Sequence, residues 1–249
     1  MTETRAEIGV IGGSGFYSLL EDAVEVPVST PWGDPSSAVT VGVLAGRRVA
    51  FLPRHGADHR FPPHRVPYRA NLWALRSLGV SQVVSASAVG SLKAEHGPGT
   101  IVLPDQIIDR TWGRPHTFSD AGDGVVHVPF ADPYSITGRA AALRAAASSG
   151  IDVVNGGVLV VINGPRFSTR AESLDHQRSG GTIIGMTAMP EAALARELEV
   201  EFTGLCLVTD HDAGVEVGGG VTHDEVLEQF AVNLPTLRRL LVATLAELP

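Results

Sequence analysis

The segment "EIGVIGGSGFYSLL" (7–20) runs a short apolar strand into a glycine-rich turn. Such turns leave backbone N–H groups free to face an anion, and the Ser14 hydroxyl adds a donor. A nucleotide P-loop needs Lys-Ser/Thr after the glycines, and none follows here. A dinucleotide fingerprint needs a third glycine where Ser18 stands, and a helix behind the turn where "EDAVEVPVSTPWG" reads as extended. A second cluster is "LPRHG", which puts Arg54 and His55 just past an apolar run, a pair suited to a bidentate oxyanion contact. A third, "SASAVGSL", holds Ser85 and Ser87 at another strand end, and "GMTAMPE" places Met186 and Thr187 before a helix start, where anions are favoured. In "LVTDHDAGVE", Asp210 and Asp212 alternate on one side of an extended chain and His211 points to the other. Paired carboxylates can hold a metal, move protons or read donors on a ligand. A metal would want further carboxylate or histidine ligands nearby, so no metal is expected.

These residues need a scaffold that brings strand ends together. Candidate strands are "IGVIG", "AVTVGVL", "RVAFLPR", "QVVSASAV", "TIVLPDQII", "GGVLVVIN", "TIIGM" and "FTGLCLVTD". Several are apolar on both faces, as strands covered by helices on both sides must be. Helical patterns fill "YRANLWALRSLG", 138–149, "TRAESLDHQRSG", "MPEAALARELEV" and "THDEVLEQFAVNLPTLRRLLVATLAEL". Gly79 and Gly150 stand where helices end, Thr222 where one begins, and Pro190 in a first turn. Pro235 predicts a kink or split in the last helix. The long irregular stretch "PRHGADHRFPPHRVPY", with His59 and His64, is of a kind that usually carries function. The expected fold is one α/β domain over residues 1–249, a central mixed, largely parallel sheet flanked by helices. Its strand ends would converge on one edge, where such folds bind ligands.

Composition limits the partners. The chain has 249 residues, is 44% hydrophobic and carries a net charge of −8 without a basic run. That argues against a nucleic-acid or anionic-membrane surface. The single cysteine, Cys206, lies in an apolar run and reads as a buried thiol. No apolar run has the length of a signal or membrane segment, so a cytoplasmic protein is expected.

The motifs "IGVIGGSGFY", "PRHGADHRFPPHRVPYRANLWAL", "GSL…PGTIVLPDQIIDRTWGRPHTF", "GPRFSTRAES", "MTAMPEAALAREL" and "VTDHDAG" together resemble the 5′-methylthioadenosine phosphorylases, within the trimeric purine nucleoside phosphorylases. The likeness runs from about Ile8 to the final helix. It implies that the anion is free orthophosphate, a co-substrate, with no other cofactor. Ser14, Arg54, His55, Ser87, Thr187 and the backbone of Ala88 would surround it. Met186 would lie under the ribose and Phe167 on the base. Asp210, as the catalytic acid, and Asp212 would face the purine with Ser168 near, and His211 belongs to the same substrate-binding stretch. A homotrimer is implied, with His127 reaching a neighbour's nucleoside site. The implied reaction is phosphorolysis of methylthioadenosine or a related 6-aminopurine nucleoside.

Two positions depart from the pattern. Asn163 replaces a Glu or Gln, and His223 stands where a small or apolar residue usually lines the methylthio pocket. A ring donor there suits a 5′-hydroxyl better than a thioether. Two alternatives therefore stand beside methylthioadenosine. One is a preference for adenosine or another 5′-polar or 5′-halogenated adenosine, and the other is a nucleotide-binding module without turnover.

Overall fold

The computed structural model describes residues 4–13, 20–122, 124–215 and 222–249. Ser14 and the rest of the glycine-rich turn beyond Gly13 lie outside them. Among the described residues eleven strands join one sheet. They are β1 (Ile8–Gly12), β2 (Glu21–Val26), β3 (Val39–Leu44), β4 (Arg47–Pro53), β5 (Gln82–Ser91), β6 (Ile101–Leu103), β7 (Gln106–Arg110), β8 (Val153–Asn155), β9 (Val158–Ile162), β10 (Ile183–Gly185) and β11 (Glu201–His211). The helices are α1 (Tyr68–Ser77), α2 (Ile136–Ser149), α3 (Arg170–Arg178), α4 (Ala188–Glu197) and α5 (His223–Glu247).

The centre is parallel: β4, β1, β5 and β11 run side by side in one direction, so their C-terminal ends share an edge. β10, β9 and β7 are parallel to one another, with β10 antiparallel to β5. The extended stretch after the glycine turn is β2, an antiparallel edge strand on β3, as its composition predicts. β5 is the branch point. Its first half pairs with β1 as far as Ser85, and its last residues, Gly90 and Ser91, pair with β10. Between the two pairings that edge of β5 opens onto a cavity.

Strand alternation divides the core into two layers. On β11, Cys206 and Val208 face a cluster with Leu72 and Leu75 of α1 and Leu194 of α4. Leu205 and Leu207 face the opposite cluster, with Ala141, Ala142 and Ala145 of α2 and Leu237, Leu240 and Leu241 of α5. Small alanines on α2 allow the two helices to approach closely.

The punctuation residues behave as the sequence indicates. Gly150 caps α2 at φ 62° and Gly79 follows α1 at φ 97°. Thr222 forms a capping box with Glu225. Met189 is non-helical, so the regular part of α4 starts at Pro190. The expectation for Pro235 is corrected: α5 runs unbroken through it. The carbonyl that proline leaves without a donor belongs to exposed Ala231, where water can satisfy it, and the buried leucines of the second half hold the helix in line.

Candidate functional site

A cavity of about 590 Å³ sits at the shared strand edge. Its wall includes Gly13 after β1, Arg54 and His55 after β4, and Ser87 and Ala88 on the open edge of β5. Met186 and Thr187 after β10, Phe167, Asp210 and Asp212 at the end of β11, and His223 on α5 complete the set. Four weak strand-end signals thus meet in one space. Local register explains part of this: Gly12 lies opposite Pro53, and the Arg54 N–H donates to the Gly12 carbonyl at 3.1 Å, fixing the two loops side by side.

The Arg54–His55 pair does not present the free bidentate fork its spacing suggests. Arg54 is 3% exposed. Its Nε and Nη2 donate to the Glu191 carboxylate (2.5 and 3.2 Å), Nη2 also to Ser85 Oγ (2.7 Å), and Nη1 to the Ala86 carbonyl (3.2 Å). Ser85 in turn donates to Glu191 Oε2 at 3.0 Å. Burial disfavours the charged guanidinium, but the charge and hydrogen bonds of Glu191 more than offset it, and its pKa is raised. Four of five N–H groups are committed, leaving one on Nη1 for a ligand rather than the bidentate fork.

His55 is not cationic. Desolvation, and then the charge of Arg54, lower its pKa to about 4. Its Nδ1 lies 2.7 Å from the Phe61 carbonyl, an acceptor only, so Nδ1 carries the proton and Nε2 of the neutral ring is an acceptor. The His59 ring stacks on it at 4.6 Å. His55 therefore suits an anion that carries its own proton, as phosphate does at neutral pH. Thr187 does not spend its hydroxyl on capping α4 and stands at that helix start. Ser87 Oγ is 3.7 Å from Cys206 Sγ, whose thiol burial pushes up to about 11. Together they form a hydroxyl-lined, partly cationic end for a small anion.

The other end is acidic. Desolvation raises the pKa of Asp210, with neighbouring Asp212 adding to the effect and the Thr209 hydroxyl opposing it. That hydroxyl donates to Oδ1 at 2.7 Å. A Cβ at Gly90 would fall 2.9 Å from Asp210 Oδ2, so only glycine leaves room for the carboxyl there. Asp212 is 4% exposed. Burial raises its pKa too, against the neighbouring hydroxyls of Ser173 and Ser168. Its Oδ2 has no hydrogen-bond partner among the described residues, nor has Ser168 Oγ. An unpaired buried acceptor beside a raised-pKa carboxyl is a place for a ligand's donors and for a proton. Between the ends, Met186 reaches over Gly164, where a side chain would meet its sulfur at 2.5 Å.

Three candidates lie off this wall. The His211 ring lies near Gly97 and is not part of the cavity wall. Ser168 neighbours Asp212. His127 is exposed on the same chain. Four contributors were not legible in the sequence: Glu191, and the α5 wall of Val226, Leu227 and Phe230. Among the described residues, no group of three His, Cys, Asp or Glu could hold a metal ion, and no helix is long and apolar enough to cross a membrane.

Comparison with known proteins matches this arrangement. A purine nucleoside phosphorylase of Streptomyces coelicolor is 59% identical, with 99% of this chain and 91% of that protein covered. An S-methyl-5′-thioadenosine phosphorylase of Mycolicibacterium smegmatis is 55% identical, over 96% and 90%. The solved methylthioadenosine phosphorylase of Schistosoma mansoni in complex with adenine superimposes with a TM-score of 0.92 at 36% identity, covering 97% of this chain and 91% of that one. The sequence pattern of the phosphorylase superfamily spans residues 7–246. With its whole sheet and both ends of its cavity inside that span, the chain belongs to the phosphorylase superfamily.

Proposed function

We propose that the chain cleaves 5′-methylthioadenosine, or a related 6-aminopurine nucleoside, with orthophosphate, giving adenine and, from methylthioadenosine, 5-methylthioribose 1-phosphate. One observation carries this reading: a single cavity joins an anion-suited end, Arg54, His55, Ser87 and Thr187, to a carboxyl pair, Asp210 and Asp212. The C1′–N9 electron pair passes to the purine as the bond breaks. Asp210, favoured in its protonated form by burial, supplies a proton at N7. A phosphate oxygen then bonds C1′. Its charge lies close to the sugar as positive charge develops there, so positioning and electrostatics carry most of the acceleration. The reaction as proposed needs no cofactor. Asp212 accepts from the 6-amino group, Phe167 packs on the base and Met186 on the ribose. Ser14 and the Ala88 backbone join the phosphate donors.

The 5′ group meets α5. Val226, Leu227 and Phe230 form an apolar wall suited to a methylthio group, and His223 adds one polar ring beside it. His223 is the observation that favours a second reading, a preference for a 5′-hydroxyl. Specificity constants for methylthioadenosine and adenosine, measured side by side at saturating phosphate, decide between them. A nucleotide-binding module without turnover would release no adenine from either.

The assembly we propose is a homotrimer. Exposed Val125 and Val126 supply apolar surface beside His127, which would reach a neighbour's nucleoside. A fully active monomer in sedimentation would end that role for His127. The lone cysteine fits a cytoplasmic enzyme of purine salvage.

A further inference from the structure

Arg114 follows β7, is 5% exposed and does not touch the cavity. All its donors are used. Nε donates to Asn163 Oδ1 at 3.1 Å, and Nη2 to the carbonyls of Asn163 (2.7 Å) and Ile162 (3.3 Å). Nη1 donates to the carbonyls of Met186 (2.8 Å) and Met189 (2.6 Å) and to Tyr68 Oη (3.2 Å). Tyr68 itself donates to the Pro63 carbonyl at 2.7 Å. Among the described residues no carboxylate forms an ion pair with this guanidinium; its charge is met by carbonyl and amide dipoles.

We propose that Arg114 is a positioning residue for the nucleoside half of the site, clamping the strand end that leads into Phe167 to the segment that carries Met186 and Thr187. The two segments follow β9 and β10, whose pairing ends with Gly185 opposite Val161. Past that point Arg114 bridges them, Nε and Nη2 to one and Nη1 to the other, and through Tyr68 it reaches the loop of Pro63, a third part of the wall. A planar fork can hold two chains at once; the single ammonium of lysine cannot reproduce that geometry. Asn163 supplies a neutral acceptor where a carboxylate would have given a local ion pair, so the fork is tied to the chain by geometry rather than by one strong charge contact.

The proposal rests on the nucleoside reading above, and its test separates the two. In Arg114→Lys, misplacement of the base and ribose contacts should raise nucleoside KM about tenfold or more, with kcat falling as well. Phosphate KM should move less, because Thr187 alone of the phosphate contacts sits on a clamped segment, while Arg54, His55 and Ser87 lie on other strands. A change of both KM values in step with a fall in Tm, or no change in either, would overturn the clamp in favour of a structural role. Should Arg114→Lys fail to fold, Asn163→Leu removes the Nε contact that orients the fork and keeps the carbonyl contacts, and the same split in smaller measure is expected; an unchanged nucleoside KM in that variant would overturn the proposal. Adenine affinity by calorimetry on the same proteins is the separating readout. A parent that binds adenine without turning over nucleoside, and an Arg114→Lys variant that binds it more weakly, would end the proposed reaction and leave the clamp standing.

Discussion

The two ends of the cavity are built on opposite terms. At the phosphate end, the protein satisfies its own charge: Arg54 and Glu191 are both buried, paired and hydrogen-bonded to Ser85 and the chain. At the base end, two carboxyls are largely withdrawn from water with no Lys or Arg ion pair among the described residues, and Asp212 Oδ2 has no hydrogen bond among them. The first end is preorganised by contacts present without substrate. The second keeps an acceptor, Asp212 Oδ2, that no donor among the described residues meets, at the expense of folded-state stability. Damage at the first end should therefore appear in folding as well as in catalysis, and damage at the second in catalysis alone.

The largest effect should come from Glu191→Ala. It leaves the Arg54 guanidinium buried and unpaired, a loss of about 3–5 kcal/mol, read as a shift of the urea midpoint. A midpoint unchanged from the parent would place the pair's energy elsewhere. Asp210→Asn attacks the other end. Turnover of adenine nucleosides should fall by roughly 10²–10⁴, the range for a lost general acid, with relative preference moving toward inosine-type substrates. Its Tm should not fall. The raised folded pKa means that ionised Asp210 opposes folding at neutral pH, and the amide removes that opposition.

Acid titration sharpens the contrast. His55 is held at about 4 against an ordinary 6.5, so the unfolded chain binds this proton first as pH falls. Stability should decline between those values by as much as about 3 kcal/mol, and the loss should be complete below about 4. The carboxyls act in the opposite sense, since acid relieves their buried charge. The difference between parent and His55→Gln curves isolates the histidine; superimposable curves would contradict a neutral, desolvated His55. The smallest effect belongs to the 5′ wall. If the His223 ring donates to a 5′-hydroxyl, His223→Val should cost adenosine about 1–2 kcal/mol in kcat/KM and leave methylthioadenosine unchanged or improved. An unaltered ratio of the two would remove His223 from recognition.

Much of this site was legible because its signals are local. A glycine turn, an Arg-His pair and an alternating Asp pair each reveal their chemistry within a few residues, and parallel strands bring such ends together. What escaped is what depends on distant partners. Glu191 reads as an ordinary helix acid in "MPEAALAREL", and its partner Arg54 lies 137 positions away. For that reason Arg54 looked like a free fork. Arg114, whose partners come from β9, α4 and α1, carries no local signature. Pro235 was misread because the helix rule ignores whether the orphaned carbonyl can reach water.

The central claim is that the cavity joins a nucleoside to free phosphate, and the direct measurement is adenine release from methylthioadenosine with phosphate as the only variable. The account predicts adenine and a sugar 1-phosphate in equal amounts, forming only when phosphate is present and saturating with it. Adenine released at the same rate without phosphate, or none released with it, would contradict the account.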